Sequence, residues 1–187
     1  MALQHAAIGK QLDLPEHISK ASTYLSGIST RNESPNYTMG ATQASALIAI
    51  AQNDDVRAHQ VLKELEPQSG TWSPGYPMSI DRLLGQLYVV VGDRIKAISH
   101  FENALEFGRN GKLLQKLVWT CSDYAEMLLD NDDASPSGEG LTDASASGIS
   151  DHEKAITLQD EALVITQELG MRPLTERILA RREILRG

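Results

Sequence analysis

Leu83 to Leu105 reads LLGQLYVVVGDRIKAISHFENAL, and the spacing of this stretch decides the fold. On both sides of Gly92-Asp93, apolar residues return every third or fourth position, as on two amphipathic helices. Gly85 and Ala97 are small and fall where two helices of a pair must approach closely, and Ala104 leaves room for the next pair. Tyr88 and Phe101 are long enough to fill the space between them. Gly92 tolerates a left-handed turn, and Asp93 is a capping residue for the helix that follows. The stretch therefore predicts a tight antiparallel helix pair.

Leu84-Gly85, Tyr88, Gly92, Ala97, Phe101 and Ala104 together resemble the signature of a tetratricopeptide repeat. Weaker copies flank it. Upstream, Ser45-Ala46, Ala49, Asn53, Ala58, Leu62 and Leu65 take the corresponding places. The interval from Asn53 to Gly92 exceeds the roughly 34 residues of such a repeat, and Gln68–Pro77 (QSGTWSPGYP) absorbs the excess. That stretch is expected to be an ordered loop packing Trp72 or Tyr76 against its neighbours. Downstream, Tyr124-Ala125, Leu128 and Asp132 match a first helix, and Ala155, Gln159 and Ala162 match a second. Between them, Asn131–Ser150 (NDDASPSGEGLTDASASGIS) is small, polar and acidic, and is expected to be a mobile loop inside the third repeat.

The resemblance implies an all-α fold, a right-handed superhelical stack of antiparallel helix pairs in a single domain over residues 1–187. About eight helices are expected from the periodicity. They are Pro15–Ser29, Thr38–Gln52, Asp55–Glu66, Met78–Val91, Arg94–Gly108, Lys112–Asp130, Asp151–Gly170 and Pro173–Arg186. The first and last would cover the ends of the stack. Ser150 and Glu153 have capping-box spacing, and Gly170 with Pro173 punctuates the last junction.

The C-terminal run ALVITQELGMRPLTERILARREIL, Ala162–Leu185, narrows the resemblance. With Glu168-Leu169-Gly170-Met171-Arg172-Pro173-Leu174 as its most characteristic part, it is similar to the closing segment of repeat regions in large bacterial signalling proteins. Those proteins join an ATPase module to a cyclase domain or to a LuxR-type DNA-binding domain. The likeness covers Ala41–Arg186 and departs at the acidic loop. It implies a regulatory scaffold without catalytic residues of its own, and no P-loop motif is present in the chain.

The net charge of −8 argues against nucleic acid, which demands clustered Lys and Arg. One cysteine, Cys121, forms no internal disulfide and sits in an apolar stripe, where a thiol is inert. The N-terminal residues lack a secretory pattern and no apolar run spans a bilayer, so the expected location is cytoplasmic, away from membranes. His5, His17, His59, His100 and His152 are scattered without metal-ligand spacing, and most are expected at the surface. The DNDD start of the acidic loop lacks the calcium-loop spacing. Asp54-Asp55 reads as a helix cap. No catalytic residue, metal or cofactor is expected.

In such a stack the first helix of each pair lines the concave face. Those positions are Gln43, Leu47 and Ile50, then Arg82, Gln86 and Val89, then Trp119, Ser122 and Glu126. The mixture suits a protein or peptide partner anchored by an aromatic, including another domain of the same longer chain. The competing reading makes Leu47, Ile50 and Val89 plain core. Arg177 and Arg181, four apart on the last helix, form a second, basic face. The leading expectation is a protein-interaction scaffold. The alternative is a small-ligand sensor with a pocket on the concave face, and a homodimer through an uncovered end is a further expectation.

Overall fold

A computed structural model describes residues 1–27, 35–72, 78–130 and 150–184, with the side chains of 35–37, 183 and 184 outside that description. Among the described residues the chain is all-α, with nine α-helices and one short 3-10 turn. They are α1 (Ala2–Leu12), α2 (Pro15–Ser26), α3 (Pro35–Gln52), α4 (Asp55–Leu65), α5 (Ile80–Val90), α6 (Arg94–Asn110), α7 (Leu114–Leu129), α8 (Asp151–Glu168) and α9 (Arg172–Ile184). The 3-10 turn, Glu66–Gln68, follows α4. None of these helices is long and apolar enough to cross a membrane.

The fold class expected from periodicity is correct, and one helix was not foreseen. Residues 2–12 form α1, which packs on α2 and α3. Its buried face is Ala2, Ala6, Ala7 and Gly9, too small to register as an apolar stripe. Several helix ends also move. Lys112 cannot begin α7 because it holds φ 50°, and the helix starts at Leu114. α5 starts at Ile80 because the Ser79 hydroxyl caps it, accepting from the Arg82 N–H at 3.2 Å. Of the loop expected over Asn131–Ser150, residues 131–149 lie outside the described residues.

One turn is used five times. Asp13, Asn53, Gly92, Lys112 and Gly170 each hold a left-handed backbone one or two residues after the end of a helix. In each case the next residue's N–H reaches back five positions to a carbonyl: Leu14 to Gly9, Asp54 to Ala49, Asp93 to Tyr88, Leu113 to Gly108 and Met171 to Thr166, at 2.8–2.9 Å. This is the Schellman closure, which satisfies carbonyls that a helix end leaves orphaned. New helices are then capped at once where a carboxylate follows. Asp54 accepts from the Arg57 N–H and Asp93 from the Lys96 N–H. At α8 the capping box of Ser150 and Glu153 is complete in both directions.

The chain divides into two compact units, Met1–His100 and Phe101–Gly187, with the boundary inside α6. In the first unit, α1 packs on α2 and α3, and α3 packs on α4 and α5. Its core runs from Ala6 and Ala21 through Ala46, Ile48, Ala58 and Leu65 to Leu83, Leu84 and Leu87. The Thr42 hydroxyl donates to Glu64 across the α3/α4 pair at 2.7 Å. In the second unit, α7 packs on α8 and α8 on α9. Phe101 stacks on Tyr124 with ring centroids 5.0 Å apart, and Leu117, Cys121, Leu128, Ala155, Ala162, Leu174 and Ile178 are buried in the same unit. A Cβ at Gly108 would meet Leu117 at 3.3 Å, so α6 and α7 meet closely there.

Candidate functional site

Most helices that bury an amphipathic face bury apolar groups. α5 also buries Asp81, Arg82 and Gln86, and α3 buries Thr42 and Gln43. In the second unit α7 buries Thr120, Ser122 and Asp123. These helices are the ones that the sequence assigns to a binding face, and α8, outside that assignment, buries Gln159 and Thr166 as well.

The expected positions separate into three groups. Gln43, Leu47, Arg82, Gln86 and Ser122 are buried. Ile50, Trp119 and Glu126 are half-buried, and Val89 is exposed. Leu47 belongs to the apolar core of the first unit, with Ile50 packed against it. Gln43 is the anomaly. It is 1 % exposed, and neither its amide oxygen nor its amide nitrogen has a hydrogen-bond partner. Leaving one such buried group unsatisfied costs roughly 1–3 kcal/mol.

Beside this face, the first unit holds a polar cluster that sequence reasoning missed. The Asp81 carboxylate accepts from the Ser69 hydroxyl at 2.8 Å, the Gly70 N–H at 2.7 Å and His100 Nδ1–H at 2.9 Å. Burial alone pushes this carboxyl upward. The bonds from His100, Ser69 and Gly70 outweigh it and hold the carboxyl below its ordinary range. The His100 ring stacks on Tyr88 at 5.4 Å, nearly parallel. Tyr88 donates its hydroxyl hydrogen to Glu66, and Lys96 donates to the Tyr88 oxygen at 3.2 Å. A His-Asp pair with a nearby serine invites comparison with a nucleophilic triad. The geometry here differs, because the Ser69 hydroxyl donates to the carboxylate and not to the imidazole. The cluster ties the loop after α4 to α5 and α6.

In the second unit the carboxylates are paired with cations from other helices. Arg109 grips Glu161 through two bonds of 3.1 and 2.6 Å, and this guanidinium holds the Glu161 carboxyl down against the effect of burial. The Cys121 thiol lies 3.7 Å from the same carboxylate. Burial first, and the Glu161 charge second, push that thiol well above its ordinary range. Glu102 accepts from the Tyr124 hydroxyl at 2.8 Å and from Lys154.

The basic face on the last helix is divided. Arg177 turns onto Glu126, binding it at 2.8–3.1 Å, while Arg181 is exposed. Arg182 reaches Gln159 and Asp160. Thus one expected face residue, Glu126, is engaged by an expected basic residue, Arg177.

Other expectations need correction. Trp72 is 50 % exposed, with its backbone bridged to Ser79, so about half of it is covered by its surroundings. Tyr76 lies outside the described residues. His59 and His152 are exposed as expected, but His5, His17 and His100 are half-buried and engaged. Among the described residues no group of three or more His, Cys, Asp or Glu side chains is placed to hold a metal. The Glu168–Leu174 run has a local structural role. Gly170 turns at φ 65°, Pro173 falls in the first turn of α9, and Leu174 is buried at 3 % exposure.

Comparison with protein-family models, with curated proteins and with solved structures finds no match to this chain.

Proposed function

We propose that the chain is a tetratricopeptide-like scaffold that binds a protein or peptide segment through the α3/α5 face of its first unit, as the regulatory module of a bacterial signalling protein. The observation that carries this reading is Gln43. An amide with both its donor and its acceptor unsatisfied is complementary to a peptide bond, which offers one of each, and at 1 % exposure Gln43 meets one when the α3/α5 face opens. Arg82 and Gln86, on the neighbouring helix α5, add polar groups of the kind that fix the register of an extended segment. The spacing of Gly85, Tyr88, Gly92, Ala97 and Phe101 supports the repeat, and the Ala162–Leu185 run supports the regulatory setting.

The reading has a testable signature, because a group kept for binding is a burden in the free chain. Gln43→Met removes the unsatisfied amide and raises stability by about 1 kcal/mol in urea denaturation. The same substitution weakens a peptide selected from a displayed random library against the intact chain, by roughly tenfold in fluorescence anisotropy. Ile95→Ser, on the exposed side of α6, leaves that affinity unchanged. If Gln43→Met binds the selected peptides as tightly as the parent, the α3/α5 face is not the site. A metabolite that raises the melting temperature of the parent and not of Gln43→Met, with no peptide selected, would favour the small-ligand sensor.

A further inference from the structure

His5 and His17 lie on different helices, and their Nδ1 atoms are 3.0 Å apart. The α1/α2 pair brings them together because its seam is built from small residues. Ala6 and Ala21 are fully buried, and a Cβ at Gly9 would strike Ile18 at 2.7 Å. Larger side chains at these positions would hold the helices, and so the two imidazoles, apart. Tyr24 stacks on His5 at 5.4 Å and limits the rotation of that ring. Both histidines are half-buried and remain open to solvent on one side.

Two imidazole nitrogens at this separation share one proton, or they share a metal. A metal ion about 2.0 Å from each would see them at an angle of roughly 95°, close to the cis angle of a tetragonal site and well short of the tetrahedral value. Imidazole is a preferred ligand of Cu(II), Ni(II) and Zn(II), and Cu(II) stands highest in affinity for nitrogen donors. We infer that His5 and His17 form a two-histidine chelate for a divalent transition metal of tetragonal preference, Cu(II) foremost, with water completing the coordination. Ligation through both Nδ1 atoms needs each ring in the tautomer with its proton on Nε2, so the proton between the two nitrogens moves to an Nε2 and neutral rings release none.

The charges of Lys20 and the N-terminal amine act on His5, and they repel a cation and keep the affinity moderate. The sequence pattern missed the pair because ligand motifs such as H-x-x-x-H describe one helix, and this chelate spans two.

The test is a calorimetric titration of Cu(II) alone into the intact chain in a non-coordinating buffer near neutral pH. The parent takes up one equivalent, and its electron paramagnetic resonance spectrum shows two equatorial nitrogens. His17→Gln keeps a hydrogen-bonding amide opposite His5 and removes the ligand. It lowers the Cu(II) association constant by roughly 100-fold, the loss expected when one arm of a chelate is removed. His5→Gln does the same, and circular dichroism verifies that both variants keep their helices. Cu(II) raises the melting temperature of the parent, by stapling α1 to α2, and leaves both variants unmoved. Equal Cu(II) affinity in the parent and in both variants, or a spectrum with a single nitrogen ligand, overturns the assignment.

Discussion

Asp81 in the first unit and Glu161 and Glu126 in the second are carboxylates held by different means. In the first, Asp81 is a carboxylate with 3 % side-chain exposure, satisfied by a hydroxyl, a backbone N–H and an imidazole, two of them from the adjacent loop. In the second, Glu161 and Glu126 are still 28 % and 20 % exposed, and each is held by a guanidinium from a distant part of the chain. Desolvation accounts for the difference in what each arrangement is worth. A buried carboxylate has already lost its water, so its protein partners are indispensable. A half-exposed pair exchanges protein contacts for water at little net change. The Asp81 cluster is therefore a tight, water-excluded network, while the Glu161 and Glu126 pairs join distant parts of the chain and are individually weak.

The largest expected effect separates these two regimes. Asp81→Ala strands the Gly70 N–H and the His100 ring donor and lowers stability by about 3 kcal/mol. Glu161→Ala lowers it by less than about 1 kcal/mol. Urea denaturation of the two variants measures both. Equal losses would mean that the networks do not differ in kind.

Acid sharpens the same contrast. Asp81 and Glu161 both lie below their ordinary values when folded. A carboxylate of that sort stabilises the fold above its unfolded pKa, about 4. That contribution is lost as pH falls from there through the lower folded value. Asp81→Asn and Glu161→Gln should each flatten the loss of stability below about pH 4. The two should respond differently to salt. Raising ionic strength erodes the Glu161 contribution, which is screened by solvent, and leaves that of Asp81 intact. Melting temperatures followed against pH at low and high salt provide the measurement.

A smaller effect comes from the α7/α9 pair. Arg177→Ala removes both nitrogen contacts to Glu126 and should cost about 0.5 kcal/mol, vanishing at high salt. A double-mutant cycle with Glu126→Ala isolates the coupling. A coupling of several kcal/mol would place this pair with Asp81 and not with the surface pairs.

What was legible in the sequence follows the same division between local and distant. Gly92-Asp93, Ser150 with Glu153, and Gly170 with Pro173 are local devices, and each sits at the helix junction their spacing indicates. The apolar stripes of α5 and α7 were readable because Leu, Val and Tyr recur at helical intervals. α1 was not, since its seam of Ala2, Ala6, Ala7 and Gly9 carries shape complementarity and little hydrophobicity. Of the nine residues assigned to a binding face, position on a helix was readable but burial was not. Val89 points to solvent while Gln43 and Arg82 are enclosed. The Asp81–His100 and His5–His17 pairs were invisible for a simpler reason: each joins side chains from two helices, and the separation in sequence is set by the turn between them.

The smallest effects concern what the two units share. The same turn closes helices in both, with Asn53 in the first unit and Lys112 in the second held at φ 49° and 50°. Lysine has no local hydrogen bond to offset the clash of its Cβ in that conformation, whereas asparagine tolerates it better. Lys112→Gly should therefore raise stability by about 0.5 kcal/mol and Asn53→Gly by about 0.2 kcal/mol. Gly92→Ala, at φ 78°, should do the reverse and lower stability by about 1 kcal/mol. Because no atom lies within 4 Å of a Cβ built at Gly92, the loss measures backbone strain and not a clash with neighbours. If the three changes follow this order in thermal unfolding, the turn behaves as one device in both units. The contrast between Asp81 and the Glu161 and Glu126 pairs then owes nothing to how the helices are closed.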